Sequence, residues 1–400
     1  MDNEKKPAIR FRGFTDAWEQ RKVGELASVS MNRRIFKEQT TENGDVPFFK
    51  IGTFGGIPDA YISRKLFEEY RAKYPYPKVG DILISASGSI GRTVEYSGKD
   101  EYFQDSNIVW LNHDERINNS FLKCFFAVVK WAGIEGSTIK RLYNDNILNT
   151  EISIPSIEEQ SKIGAFFRNL DNLITLHQRK CEKLQNVKKS CLEKMFPKNG
   201  DSVPEIRFKG FTDAWEQRKL SDVISEFIVP MRDKPKEFGG TIPWTRIEDI
   251  EGKYLNGSLS GQYVTEETIK QMNLKVIPKH SLIVSSSATF GVVAIVTQDL
   301  ITNQTFIGLV PNDRDELDYW YTFFQSNHAR TYMKLQSAGS TIFYIAREHF
   351  ENMPILLPTK QEMFQIGAYF RNLDNLITLH QRKLEKLQNI KKSCLEKMFV

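Results

Sequence analysis

The residues of this chain that are able to do chemistry form none of the patterns typical of an enzyme. Pro58-Asp59 would begin a nuclease carboxylate cluster, but no acidic-x-Lys partner follows on a nearby strand-like run, and a Pro-Asp turn is far commoner. Ser85, Ser87 and Ser89 lack the GxSxG spacing of a nucleophile elbow. The chain also lacks a GxxxxGK[ST] phosphate loop and the motifs of a base methyltransferase. We therefore expect no catalytic residue and no cofactor in this chain.

The cysteine residues also lack the spacing of metal ligands. There is no CxxC pair and no Cys/His cluster, and we expect no metal site. The cysteines are Cys124, Cys181, Cys191 and Cys394. The N-terminal segment has no apolar core, and no later run approaches the roughly 18 apolar residues of a membrane span. These features predict a reduced cytoplasmic protein that does not insert into a membrane.

Polar, basic and aromatic residues in predicted turns are of the types that contact nucleic acid. Base edges are read by short hydrogen-bonding side chains, Arg and Lys, and phosphates are bound by cations. The candidates in the first half are Lys50, Arg71, Lys73, Ser85, Ser87, Ser89, Arg92, Ser137, Thr138, Lys140 and Arg141. Those in the second half are Arg246, Ser285, Ser287, Thr289, Ser340, Thr341, Tyr344 and Arg347. The net charge of +5 permits a nucleic-acid partner without proving one.

The candidates occupy corresponding positions because the chain is a tandem duplication. Residues 9–22 (IRFRGFTDAWEQRK) return as residues 206–219 with one change, Arg12 to Lys209. Residues 163–196 return as residues 366–399 and differ only at Phe166/Tyr369, Cys181/Leu384 and Val187/Ile390. Chance does not produce matches of this length, so internal repetition is the main signal in the sequence.

The segments between these repeats resemble each other only in outline. ILISASGSIG at residues 82–91 corresponds to LIVSSSATFG at 282–291, and GSTI at 136–139 returns at 339–342. Neutral drift of an unimportant insert is the alternative explanation, but drift does not keep a matched scaffold while replacing its loops. We therefore expect two domains that bind different ligands on one frame.

Hydrophobic periodicity predicts that each diverged segment is an α+β domain. The runs VGDILIS, NIVWL, SLIVSSS and GVVAIV are typical of strands, and residues 121–133 and 319–334 have helical periodicity. The predicted order is a repeated strip at 1–22, a globular domain at 23–155, a central helix at 156–199, a second strip at 200–219, a second globular domain at 220–358 and a C-terminal helix at 359–400.

The helices carry an apolar stripe with alternating steps of four and three residues, which is typical of a coiled coil. The expected packing residues are Ile163, Phe167, Leu170, Ile174, Leu184, Ile366, Phe370, Leu373, Ile377, Leu384 and Leu387. Lys188 and Lys391 interrupt the stripe, and His177 and His380 are interpreted as polar residues that set its register. An antiparallel pair of helices of about 54 Å would separate the two globular domains, and DNA half-sites one turn apart lie about 34 Å apart.

Trp18 and Trp215 lie in the near-identical strips, so we do not expect them to bind different ligands. We interpret them as core anchors, or as part of a surface that is shared by two copies of one partner.

These residues together resemble a known family. The strips IRF(R/K)GFTDAWEQRK, the helices IGA(F/Y)FRNLDNLITLHQRK, the GST turn before an Ile-Pro or Leu-Pro ending and the variable segments match, over essentially the whole chain, the specificity (S) subunit of type I restriction-modification systems. The resemblance implies two α/β target recognition domains separated by two long antiparallel coiled-coil helices with a pseudo-two-fold repeat. Cys181 against Leu384 is the main asymmetry between the helices.

The resemblance also implies the partners. Each recognition domain would read one half of a bipartite asymmetric site in double-stranded DNA, and the helices would set the gap between the halves. Two methyltransferase (M) subunits and two restriction/motor (R) subunits would bind S-adenosylmethionine, ATP and Mg²⁺, and this chain would scaffold them without catalysis. The family has no simple residue-to-base code, so no individual contact is transferred.

Two other classes of function remain open at this point. The chain would be a protein-protein adaptor with two binding domains on a rigid strut if the turns do not bind DNA. It would be a self-sufficient DNA enzyme if it cleaved or methylated DNA alone, although the absent motifs argue against this class.

Overall fold

The computed structural model describes residues 6–131, 140–198, 200–286, 291–337 and 344–399. Contacts divide the chain into two compact units. Unit 1 consists of residues 1–177 and 382–400, and unit 2 consists of residues 178–381. The division therefore does not follow the linear order of the repeats, because the C-terminal segment is counted with the first half of the chain.

Unit 1 contains small sheets and helices in alternation. Its strands are β1 (Glu19–Lys22), β2 (Ala27–Ser30), β3 (Val46–Phe49), β4 (Tyr61–Ile62), β5 (Ile82–Ser85), β6 (Thr93–Glu95), β7 (Tyr102–Phe103), β8 (Ile108–His113) and β9 (Glu151–Ile154). Its helices are α1 (Arg64–Lys73), α2 (Asn119–Val128), α3 (Asn144–Leu148) and the first part of α4 (Ile157–Lys194). The sheets have the strand orders β2-β8-β5-β6, β4-β3-β7 and β1-β9.

Unit 2 repeats this arrangement with additions. Its strands are β10 (Glu216–Lys219), β11 (Ile224–Ile228), β12 (Ile242–Thr245), β13 (Tyr254–Leu255), β14 (Tyr263–Val264), β15 (Leu282–Ser285), β16 (Val293–Val296), β17 (Ile301–Thr302), β18 (Phe306–Pro311) and β19 (Pro354–Leu357). Its helices are α5 (Glu266–Gln271), α6 (Leu317–Gln325), α7 (Asn327–Gln336), α8 (Arg347–Glu351) and the first part of α9 (Lys360–Met398). The sheets are β11-β18-β15-β16-β13, β14-β12-β17 and β10-β19.

The mixed α+β fold predicted for each half is confirmed. The apolar runs form β5, β8, β15 and β16, and the side chains of β5 and β15 are buried throughout. Within the residues described here, no helix is both long and apolar enough to cross a membrane.

The single helix predicted for residues 319–334 is wrong in one respect. The chain forms α6 and α7, which are separated at Ser326, where ψ is 156° and the backbone is extended. The Ser326 hydroxyl accepts a hydrogen bond from the Ala329 amide (3.3 Å) and so caps α7. Serine at this position satisfies a free amide at the new helix start, which favours the break.

The repeated strip closes each globular domain by pairing with its last strand. β1 is antiparallel to β9, with Glu19 opposite Ile154, and β10 is antiparallel to β19, with Glu216 opposite Leu357. The last strand of each domain, which ends at the Ile-Pro or Leu-Pro step, therefore pairs with a strand that lies well over a hundred positions earlier in the chain.

In unit 1, the start of α4 packs antiparallel against the end of α9. The Phe167 ring lies 6.5 Å from the Phe399 ring, and the Lys391 ammonium lies 2.6 Å from a carboxylate oxygen of Asp171. Because the partner number falls as the α4 number rises, the two segments run in opposite directions.

Unit 2 contains the matching pair, formed by the end of α4 and the start of α9. Lys188 binds Asp374 at 2.7 Å, and its ammonium also donates to Gln325 at 2.9 Å. Cys191 Sγ lies 3.4 Å from the Tyr369 hydroxyl. The two lysines that interrupt the apolar stripe thus join the helices by ion pairs. The apolar stem of a lysine side chain packs against the helices while its ammonium reaches a carboxylate.

The expected packing residues differ in how deeply they are buried. Ile163, Phe167, Leu170, Ile366, Phe370, Leu373 and Ile377 are buried, whereas Ile174, Leu184, Leu384 and Leu387 are half-buried. The buried members of this set therefore lie in the first half of each long helix.

A buried ion pair fixes the strip to the first turn of each long helix. Arg10 donates two hydrogen bonds to Glu159, of 2.7 and 2.8 Å, and the Glu159 side chain is fully buried. Arg207 and Glu362 form the same pair in unit 2, with the same distances. The backbone of the strip also binds the other helix, since the Ile9 amide donates to the Lys397 carbonyl and the Ile206 amide to the Lys194 carbonyl. Each strip consequently ties two helix segments together.

The tryptophans of the strips are core residues, as one of the two interpretations predicted. Trp18 is only 4% exposed and packs edge-on against Phe121 and Phe399. Trp215 is equally buried and packs against Phe196. Their burial leaves no shared partner surface at these side chains.

The glycine of each IGA motif allows the long helix to approach the domain closely. A Cβ on Gly164 would lie 2.5 Å from the Ser120 Cβ and 3.1 Å from the Phe121 amide. A Cβ on Gly367 would lie 2.9 Å from the Tyr319 amide. Both contacts involve the start of the helix that follows the sheet, so the glycine sets the distance between the two elements.

We predict that Arg10→Met lowers the free energy of unfolding of unit 1 by about 3 kcal/mol, because a buried carboxylate loses its cation. Urea denaturation followed by tryptophan fluorescence measures the change. Arg21→Met is the matched control, since Arg21 pairs with Glu19 and Glu25 at the surface and this variant should lose much less stability than Arg10→Met. Equal losses in the two variants would contradict the role of the buried pair.

Candidate nucleic-acid interface

In unit 1, four separate segments meet at one end of the sheet that contains β5. The Ala86 amide donates to the Asn107 carbonyl (2.7 Å), the Leu142 amide donates to the Ala86 carbonyl (2.8 Å), and the Gly88 amide donates to the Lys140 carbonyl (3.1 Å). We call this surface the polar edge of unit 1. It consists of residues 50–56, 86–92, 104–107 and 140–142.

Residues 50–56 join the polar edge through side-chain hydrogen bonds. The Gln104 side chain accepts from the Ile51 amide (2.9 Å), and the Arg92 guanidinium donates to the Phe54 carbonyl (2.7 Å). Arg92 is exposed and spans two turns, so its remaining donors face the surface.

Two of the predicted contact serines are buried and hold the turn in shape. The Ser85 hydroxyl donates to the Ser89 carbonyl (2.5 Å) and accepts from the Arg92 amide (2.9 Å). The Ser87 hydroxyl donates to Asn107 Oδ1 (2.7 Å). With 0% and 5% exposure, Ser85 and Ser87 are positioning residues here rather than contacts, whereas Ser89 is exposed.

The predicted cations of unit 1 differ in whether a carboxylate already neutralises them. Lys50 pairs with Asp59 at 3.0 Å, Arg71 with Asp100 at 3.2 Å, and Lys73 with Glu69 at 3.0 Å. Arg71 and Lys73 lie on α1, outside the polar edge, and their proposed contact with a ligand stays a prediction.

Lys140 and Arg141 stand apart from these paired cations. Both are exposed, and neither makes an ion pair with any residue that the structure describes. Arg141 is held by an antiparallel backbone bridge to Ser87. A fixed backbone with a free charge is a favourable arrangement for binding an anion, because no internal ion pair has to be broken.

Unit 2 has the same backbone arrangement at the corresponding end of its sheet. The Ser286 amide donates to the Thr305 carbonyl (2.8 Å), the Ile345 amide donates to the Ser286 carbonyl (2.8 Å), and the Asn303 amide donates to the Thr245 carbonyl (3.3 Å). We call residues 245–246, 285–286, 291–292, 303–305 and 344–346 the polar edge of unit 2.

The side chains of this second edge are different. Arg246 lies over the Trp244 ring at 5.6 Å, and its Nε is 4.0 Å from Glu248. Tyr344, at the position that corresponds to Arg141, is 42% exposed. Ser285 is buried, like Ser85 in unit 1. Arg347 lies on α8 and pairs with Glu351 at 2.6 Å.

Some predicted contacts cannot be placed. Six of them lie outside the described residues, namely Ser137, Thr138, Ser287, Thr289, Ser340 and Thr341.

The sequence analysis missed several residues of these edges. Gln104 and Asn107 bind the turns of unit 1. Next to the polar edge of unit 2 in the sequence, but outside it, Lys234 lies 5.4 Å from both the Phe238 and the Trp244 rings. The QDSN turn at 104–107, in which Ser106 has a φ of 53°, was the available signal, since Asp, Ser and Asn favour turns. No local signal pairs Lys234 with Trp244.

The described residues contain no arrangement that suits metal or thiol chemistry. No group of three or more His, Cys, Asp or Glu side chains is placed to hold a metal ion in the described ranges. Burial raises the pKa of the Cys124 thiol to about 12, so this thiol stays protonated and unreactive at neutral pH.

Comparison with known proteins gives one consistent result. The type I restriction modification DNA specificity domain matches twice, at residues 15–186 and 212–389. A putative type I restriction enzyme specificity subunit of Haemophilus influenzae is 55% identical over 157 residues, which are 38% of this chain and 41% of that protein. This match therefore spans less than half of the relative. A putative specificity subunit of Methanocaldococcus jannaschii is 24% identical over 94% of this chain and 92% of its own length.

Solved structures share the fold. The S subunit of a type I restriction-modification system from M. genitalium is 16% identical, with a TM-score of 0.56, and the match covers 99% of both chains. A chain from a study of complex assembly in the type I system is 15% identical, with a TM-score of 0.55, and covers 97% of this chain and 99% of its own.

The matches to the specificity domain lie in both halves of the chain and together span most of its length. Each match includes one polar edge and most of the long helix that follows it. The chain therefore belongs to the family of type I restriction-modification DNA specificity subunits.

Proposed function

We propose that the polar edges of units 1 and 2 each read one half of a bipartite, asymmetric DNA site. The observation that carries this proposal is that the two edges share three equivalent backbone hydrogen bonds, donated by residues 86, 104 and 142 in unit 1 and by residues 286, 303 and 345 in unit 2, but have different side chains. Arg141 in unit 1 corresponds to Tyr344 in unit 2, and Lys50 corresponds to Arg246. A common scaffold with changed contact chemistry is suited to two different sequences.

The chemistry of the edges fits double-stranded DNA. Exposed Lys and Arg side chains bind phosphates, while Arg, Ser, Asn and Tyr side chains in turns reach base edges in the grooves. The polar edge of unit 1 holds Arg92, Lys140 and Arg141 as exposed cations. The buried serines contribute by fixing the turn that carries these contacts.

We further propose that the long helices set the number of unspecified base pairs between the two half-sites. Within each unit, one lysine-aspartate ion pair joins the two antiparallel helix segments and favours a single register. The pair is Lys391 and Asp171 in unit 1 and Lys188 and Asp374 in unit 2. A locked register supports a fixed gap, because the helices are prevented from sliding along each other.

The catalytic steps are assigned to partners of this chain. Two methyltransferase subunits would bind S-adenosylmethionine and methylate adenine, and two motor-nuclease subunits would use ATP and Mg²⁺ for cleavage. The repeated strips and helices are suitable docking surfaces for two copies of one partner, because their sequences are nearly identical. The cytoplasm remains the proposed location.

Replacing residues 220–358 by the second recognition domain of another specificity subunit is expected to change only one half of the methylated sequence. The reason is that unit 2 builds its own edge from its own residues. The chain would be co-expressed with its methyltransferase subunits, and N6-methyladenine would be mapped by single-molecule sequencing. A change in both halves, or in neither, would refute modular reading, and a wild-type complex without any motif would favour the adaptor.

Arg141→Met is expected to weaken DNA binding. In a plot of the logarithm of the association constant against the logarithm of the salt concentration, the magnitude of the slope should fall by about 1, because one phosphate contact is lost. Fluorescence anisotropy with a labelled duplex over a series of KCl concentrations measures this slope. Lys123→Met serves as the control, since Lys123 is an exposed cation on α2 that pairs with Glu95. Equal slopes for Arg141→Met and the wild type would exclude a phosphate contact.

Inserting four residues after His177 together with four after Gln381 should change the gap between the half-sites and leave both half-sites intact. These positions lie at the boundaries between the units on α4 and α9, so the contacts within each unit are kept. Methylation mapping reports the gap. If the same gap is found after the double insertion, the helices do not set it.

A further inference from the structure

Each polar edge contains a glycine in the left-handed conformation between its central strand and the next strand along the chain. Gly91 has a φ of 84° and Gly291 a φ of 89°. The chain at this point is held by the strand ladder, since the Ser85 amide donates to the Arg92 carbonyl and the Ser285 amide donates to the Val292 carbonyl, both at 2.9 Å. Residues 85 and 92 of unit 1 and residues 285 and 292 of unit 2 are therefore held in the same way.

A side chain from a distant part of the chain covers each of these glycines, and its chemistry differs between the units. A Cβ built on Gly91 would lie 3.2 Å from Trp131 Nε1. A Cβ built on Gly291 would lie 2.7 Å from Arg330 Nε and 3.2 Å from Arg330 Cζ. Trp131 packs against Phe126, with 5.8 Å between ring centroids, and is half-buried. Arg330 is exposed.

Arg330 lies on a helix that is anchored in the core of unit 2. It lies on α7, whose Ala329 and Met333 side chains are 0% and 1% exposed in the core of unit 2. The Arg330 amide donates to the Ser326 carbonyl in the first turn of that helix. A site carried by a helix is positioned more precisely than a site on a loop.

The Arg330 guanidinium also differs from several other cations of its unit, which are ion-paired. Arg347 pairs with Glu351, and Lys253 and Arg371 both pair with Asp318. Among the residues that the structure describes, no carboxylate, carbonyl or aromatic ring is a partner of the Arg330 side-chain nitrogens. Its planar fork therefore keeps its donors available at the surface.

From these observations we infer that Arg330 is a specificity-determining residue of unit 2, which donates two hydrogen bonds to a guanine in the half-site read by this unit. The inference deepens the proposed function and rests on it. Arginine matches the O6 and N7 acceptors of guanine in the major groove better than it matches other base edges. Because Gly291 has no side chain, the guanidinium lies directly on its backbone within the polar edge of unit 2.

Two substitutions separate a base contact from a phosphate contact. Arg330→Met keeps the apolar stem over Gly291 but removes the donors, whereas Arg330→Lys keeps the charge but removes the planar fork. Each variant and the wild-type chain would be co-expressed with the methyltransferase subunits for mapping of N6-methyladenine. Binding competition among duplexes that differ at single base pairs would give the size of the preference.

We expect the wild-type complex to prefer guanine at one position of the second half-site by roughly 5- to 150-fold. Both variants should lose this preference at that position and keep the first half-site and the rest of the motif. Lys334→Met, an exposed cation one turn further along α7, is the control and should keep the complete wild-type motif.

Other outcomes would overturn the inference. An unchanged motif in both variants would show that Arg330 reads no base. Retention of the motif by Arg330→Lys, with uniformly weaker binding by Arg330→Met, would assign Arg330 to a phosphate. Loss of both half-sites in Arg330→Lys would indicate a purely structural role. A wild-type complex without a motif would instead remove the proposed function, and this inference with it.

Discussion

The buried ion pair between the strip and the first turn of the following helix is the constraint on which each unit depends. A carboxylate with no solvent contact, such as that of Glu159 or Glu362, is tolerated only with a well-aligned cation. Arg10 and Arg207 supply this cation in bidentate geometry. Because the neighbouring backbone amide binds the end of the other long helix, the pair links the strip, the domain and both helix segments of a unit.

This frame allows the polar edges to differ between the two units without loss of the fold. The two polar edges share main-chain hydrogen bonds at residues 86, 107 and 142 in unit 1 and at residues 286, 305 and 345 in unit 2. Main-chain bonds place no demand on residue type, so exposed positions such as Arg141 and Tyr344 are free to differ. The strips and helices make side-chain contacts to each other, and their sequences are nearly identical. The difference in bonding explains why the two parts of the chain diverged to such different extents.

Sequence reasoning worked best where the signal was periodic or repeated. It predicted β5, β8, β15 and β16 and the two long helices, and core positions were one of the two interpretations given for Trp18 and Trp215. It was less successful where a residue type has two uses. Ser85 and Ser87 have the polarity of contact residues, but their hydroxyls satisfy buried groups of the turn. Lys188 and Lys391 broke the apolar stripe in the sequence, but they form the ion pairs between the helices.

The sequence by itself determined the duplication, the α+β class of each half and the family, because these depend on local periodicity and on repeated strings of residues. Only the tertiary structure decided which segments form the polar edges and which cations are already neutralised, because these depend on contacts between residues far apart in the chain. Arg330 illustrates the difference. Its helix is evident from the sequence, but its position over Gly291 follows from packing between residues 39 positions apart.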